Sequence, residues 1–110
     1  MKSRRDAPRI LLGSLEEQVM LAVVRTKGEA YGMNVRRELE TVTGRNITIG
    51  SVYATLDRLE AKGLVASTRV GGSDAASRRV FAMTAAGGRS LTETRATRDR
   101  LWTGVKIRTV

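Results

Sequence analysis

The sequence predicts an α+β fold, mainly helical, with one small β-hairpin. Three observations lead there. Up to residue 63, apolar side chains recur every three or four positions in three stretches separated by glycines. From Leu64 the period shortens and β-branched residues take over. After Thr84 the chain can resume a helix that lasts beyond Trp102. The 110 residues, 41% apolar and 28% charged, suit one globular domain with a modest core.

Residues 1–9 hold Lys2, Arg4, Arg5, Arg9 and the only proline, Pro8. This is a basic arm, either a solvated tail or an arm that reaches a nucleic-acid groove. Ser14-Leu15-Glu16-Glu17 has the spacing of a capping box, with Ser14 as N-cap and Glu17 reaching back. The helix it opens runs to about Arg25. Leu15, Val19, Ala22 and Val23 form one stripe, and Met20, Leu21 and Val24 cover the other side. A helix apolar nearly all round is buried on two faces, one against its own core and the other against something else, such as a second subunit. Gly28 suits the left-handed terminal position.

A second helix spans roughly Tyr31 to Thr43, with Tyr31, Val35, Leu39 and Val42 as its stripe and Gly44 as its stop. The third starts near Thr48 and ends at Lys62-Gly63. Val52, Leu56 and Leu59 are its buried positions, and Ser51, Tyr53, Ala54, Thr55 and Arg58 occupy the others. Leu64 to Val70 and Arg78 to Thr84 then form the hairpin, joined by a Gly- and Ser-containing loop of about seven residues. Thr84 caps the last helix. Its apolar face is sparse, limited to Leu91, Leu101, Trp102 and Val105, so it needs tertiary or intersubunit packing. The expected organisation is an arm over 1–9, a helical and hairpin unit over 10–84, and a C-terminal helix and tail over 85–110.

The composition excludes much chemistry. There is no His and no Cys. Zinc sites, Cys nucleophiles, His bases and Ser-His-Asp triads fall away. No two glycines stand at G-x-G spacing, there is no phosphate-binding G-x-x-x-x-G-K-[S/T] loop, and no Ser has Lys three positions on. Glu16 and Glu17 lie in a first helical turn, where the helix dipole accounts for them. No catalytic residue, metal ligand set or cofactor is expected, and the chain is not read as an enzyme. The longest uncharged run, Asn46 to Leu56, is far short of the ~20 apolar residues of a membrane helix. The N-terminus begins like a signal peptide but has only Ile10, Leu11 and Leu12 for an apolar region, so a cytoplasmic protein without a membrane partner is expected. Lys plus Arg number 20 and Asp plus Glu 11, a net charge of +9 that points to a polyanionic partner.

Three helices followed by a hairpin is the winged helix-turn-helix layout. The third helix then takes the recognition position. Its N-terminal turn is small and polar: Thr48, Gly50, Ser51 and Ala54 permit close approach to DNA, and amides at a helix start suit phosphate. The hairpin arginines would line the wing.

At this point the residues resemble a known family. Gly28-Glu29-Ala30-Tyr31-Gly32, Arg36-Arg37-Glu38-Leu39 and the run Gly50-Ser51-Val52-Tyr53-Ala54-Thr55-Leu56-Asp57-Arg58-Leu59-Glu60-Ala61-Lys62-Gly63-Leu64-Val65 look like PadR-type transcriptional regulators. Ser77-Arg78-Arg79-Val80-Phe81-Ala82-Met83-Thr84 is similar to that family's basic second wing strand and capped helix. The resemblance runs from about Gly13 to Leu91. It departs where the family usually carries wing tyrosines and this chain has Val80 and Phe81. The single helix after the wing resembles the short subfamily. The resemblance implies a homodimeric DNA-binding repressor, often relieved by a small ligand or signal.

The candidate DNA contacts are Tyr31, Thr48, Gly50, Ser51, Tyr53, Ala54, Arg58, Arg69, Arg78 and Arg79. For Tyr53 the alternative is a half-buried core ring, and for the three wing arginines a solvated face. The candidate dimer interface is Leu15, Val19, Val23, Leu91, Leu101, Trp102 and Val105. Trp102 is also the candidate for lining a site for a small apolar effector, with plain packing as the alternative. The leading function is a sequence-specific regulator of double-stranded operator DNA. The alternatives are a winged-helix protein-interaction module and a nucleic-acid module without sequence choice. Few aromatics argue against single-strand stacking.

Overall fold

The computed structural model of the chain describes residues 11–71 and 78–110; the basic arm and most of the hairpin loop lie outside them. The order is α1 (Ser14–Arg25), α2 (Gly32–Thr43), α3 (Ile49–Ala61), β1 (Val65–Val70), β2 (Arg78–Met83) and α4 (Ala85–Trp102). This is the winged helix-turn-helix arrangement expected from the periodicities. The strands pair antiparallel, with Val65 opposite Met83, Ser67 opposite Phe81 and Arg69 opposite Arg79. Tyr31 adds a bridge to Val80, and the Phe81 amide donates to the Ala30 carbonyl at 3.0 Å, so the wing is stitched to the start of α2.

The core lies among α1, α2, α3 and the inner face of the hairpin. Met20, Val35, Val52, Leu56, Leu59, Leu64 and Phe81 are almost wholly buried there. Burial of side chains this size stabilises by about 1.5–3 kcal/mol each.

Local chemistry sets most boundaries. The Thr48 hydroxyl accepts from the Ser51 amide at 3.1 Å and opens α3. At its end Gly63 is left-handed (φ +74°), the Gly63 amide donates to Glu60 and the Leu64 amide to Leu59, a Schellman closure that drops Leu64 into the core. Thr84 is the pivot between wing and last helix. Its amide donates to the Leu64 carbonyl, its hydroxyl donates to the Gly63 carbonyl at 2.7 Å, and it accepts from the Gly87 amide at 3.0 Å. The first of the two glycines after it has a reason. A Cβ on Gly87 would collide with the Leu64 carbonyl oxygen, so α4 begins in direct backbone contact with the α3–β1 turn.

Three details differ from expectation. The N-cap of α1 is Gly13, not Ser14. The Gly13 amide donates to Glu16 Oε1 at 3.0 Å, one position earlier than the predicted box. Glu17 is drawn away by Arg98 of α4, whose guanidinium grips both its oxygens, and Lys62, the C-cap of α3, holds Glu16 at 2.7 Å. Val42 is 56% exposed rather than part of the buried stripe, because the last turn of α2 projects past the core. Thr55 is buried although it was placed on the outer side of α3. Its hydroxyl donates to the Ser51 carbonyl at 2.8 Å, which makes burial tolerable.

Candidate nucleic-acid interface

One side of α3 is committed to the core through Val52, Thr55, Leu56 and Leu59. The other side presents Gly50, Ser51, Ala54, Asp57 and Arg58 to solvent. Gly50, Ala54 and Asp57 lie at i, i+4 and i+7 and so share one stripe. No atom lies within 4 Å of where a Gly50 Cβ would stand, so the helix start is open for a backbone to approach. Thr48 donates its hydroxyl to Ser51 Oγ at 2.9 Å, which fixes that side chain and leaves the Ser51 proton to give. Arg58 reaches back to the Thr55 hydroxyl at 3.2 Å and remains exposed.

Tyr53 is the half-buried ring that one of its sequence readings expects, and its exposed part keeps the DNA-contact reading open. It is 37% exposed, and its ring leans on the first turn of α2. A Cβ on Gly32 would strike that ring, so Gly32 and Tyr53 together bring α2 and α3 into close approach. Tyr31, the residue before Gly32, is half-buried and carries the Arg78 guanidinium 4.4 Å over its ring centre. Tyr31, Tyr53 and Arg78 therefore gather where α2, α3 and the wing meet. Arg69 is exposed on β1.

Arg79, expected as a DNA contact, stands apart from its neighbours because its guanidinium is engaged within the chain. Its Nη1 lies 3.0 Å from Asp57 Oδ1, its Nη2 lies 2.6 Å from Glu60 Oε1, and its Nε approaches Ser67 Oγ at 3.4 Å. The guanidinium also stacks 4.7 Å from the Phe81 ring centre. Glu60 further accepts from the Ser67 amide at 3.1 Å and from its hydroxyl. These bonds, that of Ser67 first, hold the Glu60 carboxyl below its usual pKa against the opposing effect of burial. For Arg79 burial disfavours the charge, yet Asp57 and Glu60 outweigh it and raise the pKa. Sequence reasoning missed this cluster, although a signal existed. Phe81 points inward, so the strand period of two places Arg79 inward as well, opposite a helix face carrying Asp57 and Glu60.

The apolar residues assigned to a subunit interface divide. Val19 and Val23 are 0% and 4% exposed and belong to the chain's own core, so they have no surface to offer a partner; this corrects their assignment. Leu15 and Leu91 are partly buried against the same core. Leu101, Trp102 and Val105 are exposed, as are Leu21 and Val24 on the outer side of α1, which were not assigned. A groove between the end of α1 and α2 is lined by polar side chains such as Arg25, Glu29, Asn34 and Arg37, and Trp102 has no part in it. Among the described residues no group of three or more acidic side chains converges as a metal site, and no helix is long and apolar enough to cross a membrane.

Comparisons place this geometry. Residues 20–93 match the model of the transcriptional regulator PadR-like family. A PadR family transcriptional regulator from Eggerthella lenta DSM 2243 is 30% identical, with 82% of each chain covered and a TM-score of 0.65. A PadR-like transcription factor from Bacteroides fragilis is 25% identical over 79% of this chain and 82% of the other, with a TM-score of 0.69. A PadR-like transcriptional regulator from Bacillus cereus strain ATCC 14579, at 22% identity, 81% and 84% coverage and a TM-score of 0.65, shares the fold. Comparison with curated proteins finds no match. The family match runs from the middle of α1 to the middle of α4, and the chain belongs to the PadR-like family of transcriptional regulators.

Proposed function

We propose that the chain represses transcription by binding a pseudo-palindromic double-stranded operator as a homodimer. The observation that carries this is the outer side of α3. Small and hydroxyl-bearing residues stand at its start, and Arg58 on the same helix, Arg69 on β1 and Arg78 on β2 are exposed cations. Gly50, Ser51 and Ala54 enter the major groove, Tyr53 gives its hydroxyl to a phosphate or base edge, and Thr48 and Tyr31 flank the approach. The cations position the protein on the backbone. A net charge of +9 supports this role.

Residues 10–84 then form the DNA-binding unit and 85–110 the dimerisation element. Support for two copies comes from the apolar side chains left outside: Leu21 and Val24 on α1, and Leu101, Trp102 and Val105 at the end of α4. A two-fold axis would let the same patches meet, and two α3 helices about 34 Å apart would read adjacent turns of the duplex. An apolar effector would bind beside Trp102, where dimer contacts and an aromatic ring coincide.

The test is footprinting on the chain's own upstream region together with sedimentation at low micromolar concentration. Protection of two half-sites by a species of twice the chain mass is expected. A monomer that binds tightly would remove the dimer. Equal affinity for operator and random duplex would remove the sequence-specific role.

A further inference from the structure

We propose that Arg79 is a positioning residue of the wing, which locks the hairpin to α3 and cancels the charge Asp57 would otherwise turn toward DNA. The inference rests on the DNA-binding reading above for its second half only.

The residues of α3 carry Asp57, Arg58 and Glu60, a net charge of −1 on the helix placed nearest a polyanion. Asp57 continues the Gly50–Ala54 stripe and its side chain is 58% exposed. An uncompensated carboxylate there faces phosphates as a like charge. Arg79 supplies the compensation from β2, with its own side chain 27% exposed. Its three guanidinium nitrogens are directed to Asp57, Glu60 and Ser67, so one side chain joins α3, β1 and β2. The planar fork and the Phe81 ring beneath it fix the guanidinium in a way a lysine ammonium does not reproduce. Arg79, Asp57 and Glu60 together sum to −1, which is a poor phosphate ligand. Arg78, one residue earlier on the opposite face of the strand, is exposed over Tyr31. Two adjacent arginines thus have opposite duties: Arg78 faces the ligand and Arg79 faces the protein.

Two measurements test this. In the first, hydrogen exchange in the free protein follows the Ser67 amide, which donates to Glu60. Arg79→Met keeps the apolar stem and removes the charge, and is expected to speed that exchange at least tenfold, while Arg78→Met leaves it unchanged. Unchanged exchange in Arg79→Met overturns the wing lock. In the second, duplex affinity is measured for Arg79→Met, Asp57→Asn and the double variant. Asp57→Asn is expected to recover affinity several-fold where Arg79 is absent, on operator and random DNA alike, and to change it less than twofold where Arg79 is present. Arg79→Lys should fall between Met and Arg in both measurements. An equal effect of Asp57→Asn in both backgrounds, with a salt slope shallower by about one in Arg79→Met, makes Arg79 a direct phosphate contact and overturns the proposal. If the unaltered chain binds no duplex, the function proposed above fails, and the exchange measurement alone still decides whether Arg79 holds the wing.

Discussion

α3 and α4 use their sequences in opposite ways. In 13 residues α3 buries Val52, Thr55, Leu56 and Leu59 and keeps small polar groups outside. In 18 residues α4 fully buries only Gly87 and Ser90. Its first half is anchored by backbone contact at Gly87, by Leu91 and by the Leu12 amide donating to Thr94 Oγ1 at 3.0 Å. Its second half is tied to α1 through Arg98 and Glu17 and leaves Leu101 and Trp102 in solvent. The difference shows which surface is finished. α3 has its structure from within the chain and its outer side is free for a ligand. The end of α4 leaves Leu101 and Trp102 uncovered, and it is there that the proposed second copy would pack.

The largest expected effect comes from cutting into each helix at a leucine. Leu56 is fully buried, so Leu56→Ala should lower unfolding free energy by about 2–5 kcal/mol. Leu101 is 73% exposed, and in dilute solution Leu101→Ala should stay within about 0.5 kcal/mol. Urea titration at two protein concentrations checks both. A cost for Leu101→Ala that appears only at the higher concentration would sharpen the contrast, and a large cost at both would break it.

Adjacent glycines offer the next comparison within α4 itself. Gly87→Ala drives a Cβ into the backbone of Leu64 and should cost about 1–3 kcal/mol. Gly88→Ala meets nothing nearer than Met83 Cε at 3.6 Å and should be neutral or stabilise by up to about 1 kcal/mol through helix propensity. Thermal unfolding distinguishes them. Equal outcomes would mean that the start of α4 is not seated on the α3–β1 turn.

On the outer side of α3, Ser51→Ala and Tyr53→Ala should each reduce the preference for operator over random duplex by about 1–3 kcal/mol. If each subunit sets about 3–5 cations against phosphates, log K should fall against log salt with a slope of about −5 to −9. Retained preference in both variants, with preference lost on shortening the hairpin, would make the wing the reader in place of α3.

The elements were legible because their ends are local chemistry. Thr48 and Thr84 cap helices, and Gly44 and Gly63 end them, at the positions spacing alone gives. The α1 cap slipped by one residue because Ser14 with Glu17 and Gly13 with Glu16 both fit a three-residue spacing. Only the distant partners Arg98 and Lys62 choose between them. At the site, the small outer face of α3 was readable from residue size. The role of Arg79 was not read, since charge counting treats every arginine alike and the carboxylates that claim it lie 19 and 22 residues earlier in the chain. The assignment of Val19 and Val23 failed for a related reason. A helix apolar all round does not say which side its own core takes.

The smallest expected effect is an acid one, and it is read at the wing cluster. Ser67 and Arg79 hold the Glu60 carboxyl below its ordinary value in the folded chain. A depressed folded pKa gives stability that is present above the unfolded value, about 4.3 for glutamate, and lost as pH falls through it toward the folded value. The wing should therefore loosen below about pH 4. Glu60→Gln should be less stable than the unaltered chain at pH 7, with the gap closing in acid. Solvent screening keeps a partly exposed cluster to about 0–1 kcal/mol. The Arg98 guanidinium, whose pKa Glu17 raises, stays charged throughout this range, so its own titration plays no part. Ser67 amide exchange, taken relative to the intrinsic rate and followed from pH 6 to pH 3, should speed up below about pH 4 in the unaltered chain and stay flat in Glu60→Gln. Protection unchanged down to pH 3 would take the acid-sensitive contact out of the wing.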